Sequence, residues 1–173
     1  MSEKATQAMQ LVKKHKIAIF IKPLGAENYT RIKKSTTLTL SMTPVETDYD
    51  YIADENPTTE VEQYKPSIDQ DLTMYKGSED YEIMWPYFYH QKTGTDAHAS
   101  CMIAFMQEPV REERGATTGY LAWETDAVIS VQDMNAVEKK LNVKILFAGD
   151  TATGIATMSS EDVPVFTVAE KQQ

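Results

Sequence analysis

The amino-acid sequence predicts a mainly β chain with one α-helix at about residues 78–92. Three features carry that reading. Several segments place an apolar residue at every second position, which is the period of a half-buried strand. One segment alone changes to spacings of three and four, the period of a helix lying on a sheet. Glycine, proline, asparagine and aspartate cluster between these segments, where turns need them.

Taken in chain order, Ile17 to Ile21 is a short apolar run with strand character. From Ile32, the residues Ile32, Thr36, Leu38, Leu40 and Met42 share one face, while Lys33, Ser35, Thr37, Thr39 and Ser41 share the other. Between Tyr64 and Met74, Tyr64, Ile68, Leu72 and Met74 oppose Lys65, Ser67, Asp69, Asp71 and Thr73, and Pro66 points to an edge or a bulge because it has no ladder donor. Ser78 is placed to cap a helix whose first turn carries Glu79, Asp80 and Glu82, favourable beside the positive end of the helix dipole. Tyr81, Met84, Trp85 and Phe88 form its apolar stripe, Pro86 should kink it, and Gly94 is the expected stop.

His98 to Met106 and Tyr120 to Val131 read as further strands. Leu141, Val143, Ile145 and Phe147 alternate with polar neighbours, and Gly149-Asp150 reads as a tight turn pairing that strand with Thr151 to Met158. Val163 to Val168 is β-branched and closes a count of about eight strands. A helical turn over Asn135 to Lys140 is a weaker signal, and the charged cluster Arg111, Glu112, Glu113 and Arg114 before Gly115 reads as a solvated hairpin tip.

Two regions do not read as packed structure. The N-terminal arm, residues 1–14, has helix formers without a complete apolar face, and the expected β domain spans residues 15–173. The second region is the long early loop from Thr43 to Glu62, rich in Pro44, Asp48, Asp50, Asp54, Glu55, Asn56 and Pro57. A structureless connection of that length is unusual in a compact domain and tends to be functional. Its Tyr49, Tyr51 and Ile52, set among acids, suit docking on a partner.

Composition narrows the functional classes. The chain has 173 residues and a net charge of −9, an acidic balance that opposes gripping nucleic acid by replacing its counterions. No apolar run reaches the roughly 18 residues of a membrane span, and the opening MSEKATQAMQLVKKHK lacks a signal-peptide core, so synthesis and folding in a cytoplasm are expected. The single Cys101 lies in an apolar run and is expected to be a buried small hydrophobe.

The search for chemistry returns absences. There is no glycine-rich phosphate loop and no GxSxG elbow, and His15, His90 and His98 have no triad or helical zinc spacing. His90, Asp96 and His98 are the best metal candidates, and Asp48 to Asn56 alternates acids without the glycine and distal glutamate of a calcium loop. No enzyme, cofactor or metal is expected on these grounds.

The stretch ETDYDYIADENPTTEVEQYKPSIDQDLTMYKGSEDYEIMWPYFYHQKTG, from Glu46 to Gly94, resembles the tail tube (major tail) proteins of long non-contractile-tailed bacteriophages, the siphophages, of Gram-positive hosts. AWETDAVISVQDMNAVEKKLNVKILFAGDTATGIATM, from Ala122 to Met158, resembles the same family in its order of strand, short connection and hairpin. The resemblance implies a β-sandwich or barrel-like tail tube fold with one flanking α-helix, in a virion structural protein that forms stacked hexameric rings whose lumen conducts the genome. It also implies partners among tape measure, tail terminator and distal tail proteins, with transient, non-sequence-specific passage of DNA. Carried onto this chain, it makes the arm and the loop ring-stacking elements, with Asp48, Tyr49, Asp50, Tyr51, Ile52 and Asn56 as candidates. Asp69, Asp71, Glu124 and Asp126 become lumen candidates. The competing reading is a monomeric carbohydrate-binding β-sandwich using Trp85 and Trp123, both of which their patterns place in the core.

Overall fold

The computed structural model describes residues 9–111, 117–158 and 164–168. The mainly β expectation holds: among the described residues there are eleven strands and one α-helix, and the antiparallel sheet curls into a half-barrel. The charged cluster at residues 112–114 and the first eight residues of the expected arm lie outside the described residues. Among those described, no helix is long and apolar enough to cross a membrane.

The strands are β1 (Ile17–Pro23), β2 (Thr30–Arg31), β3 (Ser35–Ser41), β4 (Pro44–Tyr49), β5 (Thr58–Tyr64), β6 (Ser67–Thr73), β7 (His98–Arg111), β8 (Thr117–Asn135), β9 (Lys140–Phe147), β10 (Ala152–Met158) and β11 (Pro164–Val168). The helix α1 covers Glu79–Tyr89. The main sheet runs β2-β1-β7-β8-β9-β6-β3, with β10 on β8 and β11 on β10. Both faces of β1 are covered, which explains its unbroken apolar run: Ile19 and Ile21 join one cluster, while Ala18 and Phe20 join another. The larger cluster gathers Ile68, Leu72, Ile103, Ile129, Val143 and Ile145 on one face of the sheet, and α1 joins it with Met84 and Tyr87.

The predicted hairpin at Gly149-Asp150 is not formed. β9 and β10 do not pair with each other; both run antiparallel to β8 along the same edge, β9 beside Ala127 to Asn135 and β10 beside Tyr120 to Glu124. They behave as one strand interrupted by a jog at residues 148–151, held by the Ala148 N–H on the Asp126 carbonyl at 2.8 Å. At this jog the sheet forks, toward β6 and β3 on one side and β11 on the other. β8 is long enough to take two successive neighbours, which local turn chemistry does not reveal.

β11 lies so close that Gly154 has no room for a side chain. A Cβ there would meet the Thr167 carbonyl oxygen at 2.2 Å and the Phe166 ring at 2.7 Å. Overpacking of this kind costs about 2 kcal/mol, or about 4–8 °C in a chain of this size. Gly154→Ala is therefore expected to lower the melting temperature by that amount in a circular-dichroism melt; an unchanged melt would show that β11 is free to move away.

The helix begins and ends by means other than those its sequence suggests. Ser78 sits at the N-cap, but its hydroxyl donates to the Asp80 carboxylate rather than capping, and the Gly77 N–H donates to Glu82 Oε1 at 3.0 Å. The helix stops at Tyr89, before Gly94, because Gln91 takes the left-handed conformation at φ 47°. The Lys92 N–H then reaches the Tyr87 carbonyl and the Gln91 N–H the Phe88 carbonyl, the paired bonds of a Schellman cap.

The buried face of α1 is Asp80, Met84 and Tyr87, displaced from the expected stripe. Half-buried Trp85 instead contacts the half-buried rings of Tyr81 and Phe88 and the exposed ring of Tyr89 at centroid distances of 6.0, 5.5 and 5.6 Å. Asp80 draws the helix round: its carboxylate accepts the backbone N–H groups of Lys33 and Lys34 at 3.0 and 2.8 Å. Pro66 precedes β6, which lies between β9 and β3 and so is no edge. Residues 136–139 form a turn, not a helix, with Asn135 Oδ1 accepting from Val137 and Glu138.

Candidate functional site

The segment expected to be a structureless loop is a β-hairpin. β4 and β5 pair only with each other, Pro44 opposite Tyr64 and Tyr49 opposite Thr58. Their register continues that of β3 and β6, in which Ser41 faces Ser67. Ser35 to Thr73 is thus one long hairpin whose distal half leaves the sheet. The joint is held by the Lys65 N–H on the carbonyls of Met42 and Thr43 at 3.0 and 3.1 Å. Thr43 has φ 41°, a conformation costly for a β-branched residue and therefore a marked local constraint.

Among the described residues no other strand pairs with this arm, and β5 is exposed along its whole length and β4 on alternate residues. Tyr49 and Tyr51 stack at 5.7 Å, Tyr49 donates to Glu62 Oε1 at 2.5 Å, and Thr59 donates to Asp48 Oδ1 at 2.6 Å. The bond to Glu62 raises the Tyr49 phenol pKa. At the turn, Asp50, Ile52 and Asn56 are exposed, and the Asp54 N–H donates to the Tyr51 carbonyl. From Pro44 to Tyr64 the arm carries seven carboxylates and no lysine or arginine. The six stacking candidates therefore do converge on one projecting element. The alternation of Val45, Thr47 and Tyr49 with acids was a strand signal, masked in the sequence by its acidity.

The four lumen candidates share one face of the sheet, opposite α1. Strand partners point to the same side: Asp69 pairs with Lys144 and Lys144 with Ser130, Asp71 pairs with Asn142, Met102 with Glu124, and Ser100 with Asp126. Asp126 and Ser130 are four apart on β8 and so match. A register shift between Val131 and Asp133 adds Asp133 to this face, where it accepts from Asn142 Nδ2 at 2.6 Å. Sequence parity hides that addition.

The face is mixed in sign, with Lys22, Lys140 and Lys144 spread among the acids. Asp69 and Asp126 are exposed and Asp71 half-buried, but Glu124 is tied by the Tyr29 hydroxyl at 2.6 Å. Burial and that bond push the Tyr29 pKa far up, so the phenol keeps its proton.

His90, Asp96 and His98 are not assembled into a metal site; among the described residues no group of three such ligands is. His98 Nδ1 lies 3.1 Å from Asp126 Oδ2 instead. Cys101 is buried and its pKa is pushed up to about 12 by desolvation, so the thiol stays protonated. Trp123 is half-buried and packs edge-on against Phe105 at 5.2 Å.

No family model matches the chain, and no curated protein does. Solved structures do. A chain from the tail of an empty GTA particle, refined helically with C6 symmetry, matches with a TM-score of 0.54 and 10% identity, over 81% of this chain and 96% of that one. A chain from the six-fold symmetrised baseplate of the anti-feeding prophage (AFP) matches over 84% and 97%, at 12% identity and a TM-score of 0.45. The curled sheet with its single helix is thus the fold of the GTA tail chain.

Proposed function

We propose that this chain is a structural tail protein of a phage-like particle: a tail-tube subunit that forms hexameric rings stacked into a hollow tube. The observation that carries the reading is the arm from Pro44 to Tyr64, an ordered hairpin that has no buried residue and pairs with no other strand among the described residues. A two-stranded hairpin is marginal in water by itself, so a second surface must complete it. Two sheet edges add to the case. β3 is an exposed outer strand and β2 caps β1 over only two residues, which leaves ladder groups for a neighbour to pair.

In this reading Asp48, Tyr49, Asp50, Tyr51, Ile52 and Asn56 touch the next ring, together with the arm at residues 1–14. The face bearing Asp69, Asp71, Glu124 and Asp126 turns inward, where mixed charge lets DNA slide without holding it. The fold shared with the GTA tail chain supports the architecture. Siphophage origin, tape measure, terminator and distal tail partners, host-cytoplasm assembly and genome conduction extend the same proposal.

Negative-stain microscopy of the purified chain over a rising concentration series tests it. Rings or hollow filaments are the expected result, and particles that stay monomeric at every concentration would sink the reading.

A further inference from the structure

Charge in this molecule is segregated along one strand. The acidic arm leaves at Ser41, the C-terminal end of β3, whereas a groove lined by Lys14, His15, Arg31, Lys33 and the start of β3 lies toward the other end. The groove reaches Leu38, about 10 Å along the strand from Ser41, where the arm departs. The groove's volume is about 740 Å³ and no carboxylate lines it; Ile17, Ile32 and Leu38 give it an apolar floor. Arg31 is held in place by donating to the His15 carbonyl at 3.1 Å, while Lys14 and Lys33 are exposed.

Among the described residues the His98–Asp126 contact is the sole side-chain ion pair. Among the described residues, therefore, neither the arm's carboxylates nor the groove's lysines form an ion pair. An acidic projection with an exposed Ile52 and Tyr51 at its tip, and a cationic groove with an apolar floor, are complementary in both respects.

We infer that this groove is the receptor for the acidic arm of a second copy of this chain. The inference rests on the tube reading and specifies its axial contact. Because arm and groove lie toward opposite ends of β3, the contact is head-to-tail and does not close on itself, so repetition gives an open polymer. Opposite charges at the two ends also reject head-to-head pairing, since like charges facing each other are unfavourable.

The test uses three full-length proteins and a sedimentation assay. The arm variant carries Asp48→Lys, Asp50→Lys, Asp54→Lys and Glu55→Lys, which turns the arm's seven negative charges into a net +1, and the groove variant carries Lys14→Glu and Lys33→Glu, which leaves the groove at −1. Circular dichroism confirms folding, since all six positions are exposed. Each variant alone should lose about tenfold or more of its pelleted polymer, because facing charges are then alike. A one-to-one mixture should recover polymer, because each variant's arm then meets an oppositely charged groove. Wild-type polymer should also decline between about 0.1 M and about 1 M salt, as the Debye length falls from about 10 Å to about 3 Å.

Wild-type polymer with undiminished variants overturns the groove assignment and leaves the tube reading standing. Diminished variants that the mixture does not restore also overturn the assignment. A wild type that never polymerises removes the tube reading itself, and this inference with it.

Discussion

Replacing Pro44 to Tyr64 by Asn-Gly is expected to leave a folded protein that no longer polymerises. The excision joins Thr43 to Lys65 through a two-residue turn at a point where their backbones are already hydrogen-bonded, and Asn-Gly favours such turns. None of the removed residues is buried, so little core stabilisation is lost. The melting temperature should stay within about 3 °C, the shift produced by roughly 1 kcal/mol. The formal charge falls from −9 to −2, because the segment carries seven carboxylates and no lysine or arginine. Analytical ultracentrifugation decides the matter. Large assemblies formed by the excised protein at wild-type yield would mean that the arm has no part in axial contact.

The largest effect on stability is expected at Asp80, which is 1% exposed. Burial alone would raise its pKa, but bonds from the Ser78 hydroxyl and the backbone N–H groups of Lys34, Lys33 and Tyr81 outweigh it and hold the carboxyl below its usual range. Asp80→Ala strands these donors, each costing about 1–3 kcal/mol when buried and unpaired. The expected loss is about 4 kcal/mol, seen as a melting temperature lower by about 8–16 °C.

The sign with pH follows from the direction of the shift. A depressed carboxylate stabilises the fold above its unfolded pKa of about 3.9, and that contribution disappears as pH falls through the lower folded value. Wild type should therefore lose stability more steeply than Asp80→Ala below about pH 4. Parallel pH profiles would contradict the role assigned to this carboxylate.

What was legible in the sequence was periodicity. Ile68, Leu72, Leu141, Val143 and Ile145 alternate in the chain and are buried as that alternation implies. Less legible were features decided by distant partners. The helix face turned by one residue because the Asp80 carboxylate found the Lys33 and Lys34 N–H groups, a contact between distant parts of the chain. Gly149-Asp150 became a jog because β8 is long enough to pair twice. The helix ended five residues before Gly94 through a left-handed Gln91, which carries no glycine signal.

The candidate site divides in the same way. Acidity set residues 43–62 apart from the packed core, and none of them is buried, yet their strands were missed because strand propensity is weak in Asp- and Glu-rich sequence. The common face of Asp69, Asp71, Glu124 and Asp126 depends on pairings between strands far apart in the chain.

The register that carries over from Ser41 opposite Ser67 to Pro44 opposite Tyr64 makes the arm a lever whose fulcrum is the constrained Thr43. A neighbour that adds a strand to β3 stiffens the root of the lever, and a copy that seizes the tip immobilises β3 in return. On the proposed assembly, sideways growth and lengthwise growth would share two strands and reinforce each other. Initiation would then be slow and elongation fast, with a lag that shortens when preformed ends are added.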